Sequence, residues 1–178
     1  GTVSVDHTGD IDALGGHGVY ASGNSTVTSK TAGDIYAKSD GIHLESHGNG
    51  DKMKIAHIGA ITTDEGYGVY AQALNEIKVG IDGDIDAGGT GIYAVSSESA
   101  TGVVHSGGSL TARTGDGIVA KAGDGAVAVA NSGSLQAKGF GIYAESGAGT
   151  VKVTQIGSLE SFEGKGIYAT SGNGNVEV

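Results

Sequence analysis

Apolar and polar residues alternate along the whole chain in short bursts, separated by glycine-rich corners. One burst reads Gly-Ile/Val-Tyr-Ala, at Gly18-Val19-Tyr20-Ala21, Gly68-Val69-Tyr70-Ala71, Gly91-Ile92-Tyr93-Ala94, Gly141-Ile142-Tyr143-Ala144 and Gly166-Ile167-Tyr168-Ala169. Gly41-Ile42-His43-Leu44 and Gly117-Ile118-Val119-Ala120 fill the gaps, so the seven glycines step by 23, 27, 23, 26, 24 and 25 residues. A second burst, Gly-x-Ile/Leu-x-Ala, begins at Gly9, Gly33, Gly59, Gly83, Gly108, Gly133 and Gly157, with Thr63 and Ser161 replacing the closing Ala twice. The third is a pair of aliphatics one residue apart: Val3/Val5, Met53/Ile55, Ile77/Val79, Val127/Val129, Val151/Val153 and Val176/Val178. Val27 and Val104 each keep one member of such a pair, and its first position lies six residues before the glycine of the second burst in all seven coils.

A period of two over four or five residues is that of a strand with one buried face. No window carries the i, i+3, i+4, i+7 spacing of a helix. Three short strands per coil of 24–26 residues predict one triangular turn of a β-solenoid, with Ile and Ala of Gly-Ile-Tyr-Ala inward and Tyr outward. A single coil cannot bury its inward face, but stacked coils bury it continuously, with like side chains about 4.8 Å apart along the axis. Glycine suits the corners, and the absence of Pro suits strands paired on both edges. The expected fold class is all-β: a right-handed parallel β-helix of about seven coils, with residues 1–178 as one solenoid. Handedness is expected from the general preference for right-handed parallel crossovers. The first and last residues fall mid-pattern, so a fragment of a longer solenoid is expected.

Composition then narrows the classes. Ten Lys and Arg against 20 Asp and Glu leave a net charge of −10, which argues against nucleic acid or an anionic membrane as partner. No apolar run reaches the 18 or so residues of a membrane helix. With no Cys, thiol nucleophiles, disulfides and Cys-ligated zinc drop out together.

The outward column Tyr20, Tyr70, Tyr93, Tyr143 and Tyr168, completed by His43 and Val119, is the leading candidate binding surface. Rings one strand apart offer area with polar tips to a sugar or a protein; the same stacking also stabilises a sheet face without any ligand. Asp82, Asp84 and Asp86 alternate, which predicts one strand with all three on its outer face, and Asp10, Asp12 and Asp34 stand at equivalent positions of earlier coils. No calcium motif follows: an EF-hand from Asp82 would need Gly at Ala87 and Glu at Tyr93, and the nine-residue calcium repeat is absent. His7 and His57 share a coil position two coils apart, too far for one ion, while His43 and His47 flank the longest corner. His17 and His105 add no metal spacing, so neither a metal nor a cofactor is expected. Arg113 is the one Arg, no acid pair or Ser/His/Asp set stands out, and no catalytic residue is expected. A regular Thr column of the ice-binding kind is lacking, because the residues between the paired aliphatics run Ser4, Thr28, Lys54, Lys78, Val103, Ala128, Lys152, Glu177.

The combined repeat, Gly-Asp-Ile-x-Ala … Gly-Ile-Tyr-Ala-x-Ser … Gly-x-Gly-x-Val-x-Val, resembles passenger domains of the type V secretion autotransporters of Gram-negative bacteria. The resemblance spans essentially the whole chain. It implies a right-handed β-helix delivered through a C-terminal outer-membrane barrel that lies outside this sequence, and an extracellular location, at the bacterial surface or secreted after cleavage. It implies a non-enzymatic adhesin or virulence factor whose partner is a host cell-surface protein or glycan, with self-association through solenoid ends or faces as a further mode. Contacts are expected at the Tyr column and the variable corners 45–52 and 96–101. The alternatives are a passive spacer that projects a distal domain and a glycan-acting β-helix enzyme.

Overall fold

The computed structural model describes residues 1–49 and 51–178. Among them run 22 strands and no helix. The first coil contains β1 (Val3–Thr8), β2 (Ile11–Ala13) and β3 (Val19–Gly23), and the order repeats until β22 (Val176–Glu177). Every third strand pairs in parallel with the strand one coil away, giving three sheets of eight, seven and seven strands. The protein is a parallel β-solenoid of about seven turns with three faces. The expected three strands per coil are present, and the bursts of the sequence coincide with them.

The three faces enclose one continuous interior. From the third sheet come Ile42, Val69, Ile92, Ile118 and Ile142, all fully buried, and beside them Leu44, Ala71, Ala94, Ala120 and Ala144. The second sheet adds Ile35, Ile61, Ile85, Leu110 and Leu135. Alternating large and small columns fit a narrow prism, where a uniform column of large side chains would not close. The corners carry their own hydrogen bonds: the hydroxyls of Ser46, Ser96, Ser146 and Ser171 donate to the carbonyls of Ser25, Leu74, Gly125 and Gly149.

One coil departs from the expected register. In β13 (Thr101–Ser106) the inward residues are Thr101, Val103 and His105, whereas Val104 points out and is 51% exposed. Val103 pairs with Val79 and Val129, both buried. The cause is the corner that follows. Two residues, Gly83 and Asp84, join β10 (Glu76–Asp82) to β11 (Ile85–Ala87), but three, Gly107, Gly108 and Ser109, join β13 to β14 (Leu110–Ala112). Counting six residues back from Gly108 therefore lands one position off, and in a strand one position exchanges the faces. Val103 belongs in the core rather than in the outward column, and Val104 outside it. Thr101 replaces the aliphatic of other coils and satisfies its hydroxyl on the Lys121 carbonyl at 2.7 Å.

The first sheet also holds a third inward position beyond the paired aliphatics, occupied in successive coils by His7, Thr31, His57, Ile81, His105 and Asn131. Apart from His7, which is exposed in the first coil, these are buried. The polar members pair along the axis. Thr31 Oγ1 lies 2.8 Å from His57 Nδ1, His105 lies between Asn131 Oδ1 at 2.5 Å and the Gly83 carbonyl at 2.9 Å, and Asn131 donates to Gln155 at 2.8 Å.

Burial pushes the His57 imidazole below its ordinary pKa of 6.5. The unfolded chain thus takes up a proton as pH falls past 6.5 while the folded chain does not. The stability His57 contributes is whole above pH 6.5 and is lost as pH drops towards its folded value. Melting temperatures between pH 7.5 and pH 5.0 should fall, and fall less steeply in His57→Ile, the residue already found one coil on at Ile81. The slope is the readout, because the variant also removes Thr31's partner.

Candidate functional site

Outward from the third sheet, the register aligns Tyr20, His43, Tyr70, Tyr93, Val119, Tyr143 and Tyr168 in one column. The expected Tyr column is therefore real as a geometric object, but it is in two pieces. Tyr20 meets His43 at a centroid separation of 5.3 Å, His43 stacks on Tyr70 at 4.4 Å and 17°, and Tyr70 on Tyr93 at 5.3 Å and 7°. The second piece is Tyr143 on Tyr168 at 5.0 Å. Val119, itself 5% exposed, stands between them with no ring to offer.

A second column flanks the first, formed by the residue just before the glycine of each Gly-Ile-Tyr-Ala burst: His17, Asp40, Tyr67, Thr90, Asp116, Phe140 and Lys165. Tyr67 packs against Tyr70 and Tyr93 at 5.3 and 5.5 Å, and Phe140 against Tyr143 and Tyr168 at 5.4 and 5.9 Å. Sequence reasoning missed this column, although its fixed place before the glycine was a usable signal. In the coil of Asp116 and Val119 neither column has a ring, and Thr90 supplies none to the second column in the coil before. Here a cleft of about 320 Å³ opens between Tyr67 and Tyr93 on one side and Phe140 and Tyr143 on the other. Tyr93 and Tyr143 are two coils apart, about 10 Å along the axis, the space left by one missing ring layer.

The polar groups of this cleft are held in place. Asp116 accepts the Phe140 amide at 2.7 Å. Lys121 lies 3.2 Å from Glu145 and 4.5 Å from the centre of the Tyr143 ring. Burial and the hydrogen bond to Glu145 Oε2, 2.9 Å long, push the Tyr143 phenol up to about 12, so it is a neutral donor across the physiological range.

At the other end of the ladder, three titratable side chains converge. His17 Nδ1 and His43 Nδ1 lie 3.1 and 2.6 Å from the same oxygen, Asp40 Oδ2. Asp40 Oδ1 accepts the Tyr67 amide at 2.8 Å. His43 Nε2 lies 3.3 Å from Glu45 Oε1, and His47 Nε2 3.6 Å from Glu45 Oε2. Burial opposes the charge on Asp40, but the hydrogen bonds from His43 and from the Tyr67 amide win and hold its carboxyl below the usual range. Burial likewise opposes protonation of His43, and the carboxylates of Asp40 and Glu45 outweigh it, raising His43. Gly50, in the corner 45–52, lies outside the described residues.

The three aspartates Asp82, Asp84 and Asp86 do not share a strand. Asp82 ends β10 and Asp86 lies in β11, with Asp84 in the corner between them. Asp84 and Asp86 each have their own structural occupation. Asp84 Oδ1 accepts the amide and the hydroxyl of Ser109 at 2.7 and 2.8 Å, as Asp10 and Asp34 accept the amides of Asp34 and Ala60 one coil on. Asp86 pairs with Arg113 at 3.2 Å. These carboxylates tie corner to corner rather than gathering round one point.

The chain matches no protein-family model, no curated protein and no solved structure.

Proposed function

We propose that this solenoid is a non-catalytic recognition rod, displayed outside the cell as the surface-exposed or released part of an autotransporter-type protein, and that it binds host cells as an adhesin or virulence factor through its aromatic face. The observation that carries the reading is the cleft at Val119. A ladder built only to stabilise a sheet gains from an uninterrupted run of rings, yet the coil of Asp116 and Val119 has a ring in neither column and leaves an aromatic-walled gap. Flat apolar walls above and below, with Asp116, Thr90 and Lys121 at the side, suit a pyranose ring: its C–H faces pack on aromatic rings and its hydroxyls need charged or hydroxyl partners. A host surface glycan is the favoured partner, and a protein side chain entering the same gap is the second.

Val119→Tyr tests this without a risk of unfolding, because it restores the ring that neighbouring coils already carry. The labelled chain should bind cultured mammalian cells saturably, and Val119→Tyr should weaken that binding at least about tenfold with no fall in melting temperature. Binding that is lost after enzymatic removal of cell-surface glycans supports the glycan; binding that survives it, but not Val119→Tyr, assigns a protein partner. Equal binding by both chains places the contact elsewhere, and no saturable binding by either favours a spacer.

A further inference from the structure

We propose that His17, Asp40 and His43 form a binding site for a divalent transition-metal ion, with Zn²⁺ as its natural probe. The site is separate from the cleft at Val119: His43 and Val119 are three coils apart, about 14 Å.

The geometry is that of a metal triad. One ring nitrogen each of His17 and His43 and one carboxylate oxygen of Asp40 lie within 4.8 Å of one another, the only such group of three His or acidic side chains among the described residues. Ligands of a tetrahedral zinc ion, with Zn–N and Zn–O bonds of about 2.0–2.2 Å, are about 3.3 Å apart. The two contacts to Asp40 Oδ2, at 3.1 and 2.6 Å, fall short of that spacing by about 0.2 and 0.7 Å, so rotation of the His43 ring and of the exposed His17 ring would admit the ion. Two imidazole nitrogens and one carboxylate oxygen select zinc, copper, nickel or cobalt over calcium and magnesium, which take oxygen ligands. His17 lies on the exposed side, which leaves a fourth position open to water.

The surroundings support the triad as a built arrangement. Metal-ligating histidines usually donate their second ring N–H to a carboxylate, which fixes the tautomer. His43 meets that requirement: with Nδ1 on the metal, its Nε2 carries the proton, and Glu45 Oε1 is the acceptor at 3.3 Å. Asp40 is 7% exposed, and the Tyr67 amide pins Oδ1, so Oδ2 is left aimed at both imidazoles. Without a metal, the neutral His43 ring carries its proton on Nδ1 and donates it to Asp40 Oδ2. Binding requires the other tautomer, with Nδ1 freed for the metal and the proton carried on Nε2 towards Glu45, and the Asp40 amide, 3.4 Å from His17 Nδ1, loses a long hydrogen bond. The backbone favours the site too, since Gly18 and Gly41 let successive coils pass closely: a Cβ on Gly18 would stand 2.7 Å from the Gly41 carbonyl oxygen.

Zinc titration of the chain at pH 7.5, against a chromophoric chelator, should reveal one site per chain with a dissociation constant in the micromolar range or tighter. His17→Ala and His43→Ala should each weaken it at least tenfold, and His47→Ala should not. His17 is the decisive position, because its side chain is exposed and circular dichroism will show that the variant keeps its strands. Zinc should also raise the melting temperature of the parent chain and not that of His17→Ala, while millimolar Ca²⁺ or Mg²⁺ should not compete. Absence of a stoichiometric site at about 100 μM Zn²⁺, or the same affinity in the parent and His17→Ala, overturns the proposal.

Discussion

Val103→Asp is expected to destabilise the solenoid by about 3–5 kcal/mol, while Val104→Asp, one residue further on, should stay within about 0.5 kcal/mol of the parent. Val103 is fully buried between Val79 and Val129, so an aspartate there faces hydrocarbon above and below with no cation to pair with. A charge in that position either remains ionised without hydration or takes up a proton, and both are costly. Val104 points to solvent from the same strand. Urea or thermal melts of the two variants decide the register directly. Spacing to Gly108 alone makes Val104 the inward residue; a large loss for Val104→Asp with none for Val103→Asp would mean that the three-residue corner at Gly107, Gly108 and Ser109 is misplaced.

Gly83→Ala should cost at least about 3 kcal/mol, roughly 6–12 °C in melting temperature for a chain of this length. Two causes act together. Gly83 has φ of +146°, where an L side chain is strained, and a Cβ on it would stand 2.1 Å from the carbonyl oxygen of Gly59 in the preceding coil. Strain of the first kind is about 1–3 kcal/mol. The second cannot relax by rotating a side chain, because the obstacle is backbone in a stacked corner, and moving it disturbs the Gly59 amide's bond to the Asp82 carbonyl at 3.0 Å. Gly16→Ala is the control: it has no positive φ and nothing within 4 Å of a Cβ, and should be close to neutral. Equal melting temperatures for the two variants would contradict the close stacking of the corners.

How much of the molecule was legible follows from what each feature depends on. The Tyr column was readable because inward and outward positions in a strand alternate with a period of two, and because equivalent residues of a repeat stack. The same logic located Val119 as the member without a ring. It did not reveal the cleft, which needs the second column to lack a ring at Thr90 and Asp116, around the coil where the first has Val119. Nor did it reveal His17, Asp40 and His43 as a group. His17 belongs to one column and coil, Asp40 to the same column one coil later, and His43 to the neighbouring column. Only the turn at Gly41 and the pairing of successive coils bring their atoms to one point. The acidic run Asp82, Asp84 and Asp86 failed for a related reason: alternation in sequence continues through a corner, but the strand does not.

The order of residues alone therefore settles the secondary structure, the period, the parallel stacking and most of the core. These are local or repeat-wise properties: alternation chooses the buried face, and a face that one coil cannot cover must be covered by the next. The tertiary structure decides the rest. It allows the interior to accept Thr31, His57, His105 and Asn131, because each finds a partner one coil away. It moves Val103 inward, because a corner one residue longer shifts the count. It also joins side chains from different coils into a cleft and a triad. Corner geometry sets these placements, and a corner's length changes a strand's face without altering its alternation.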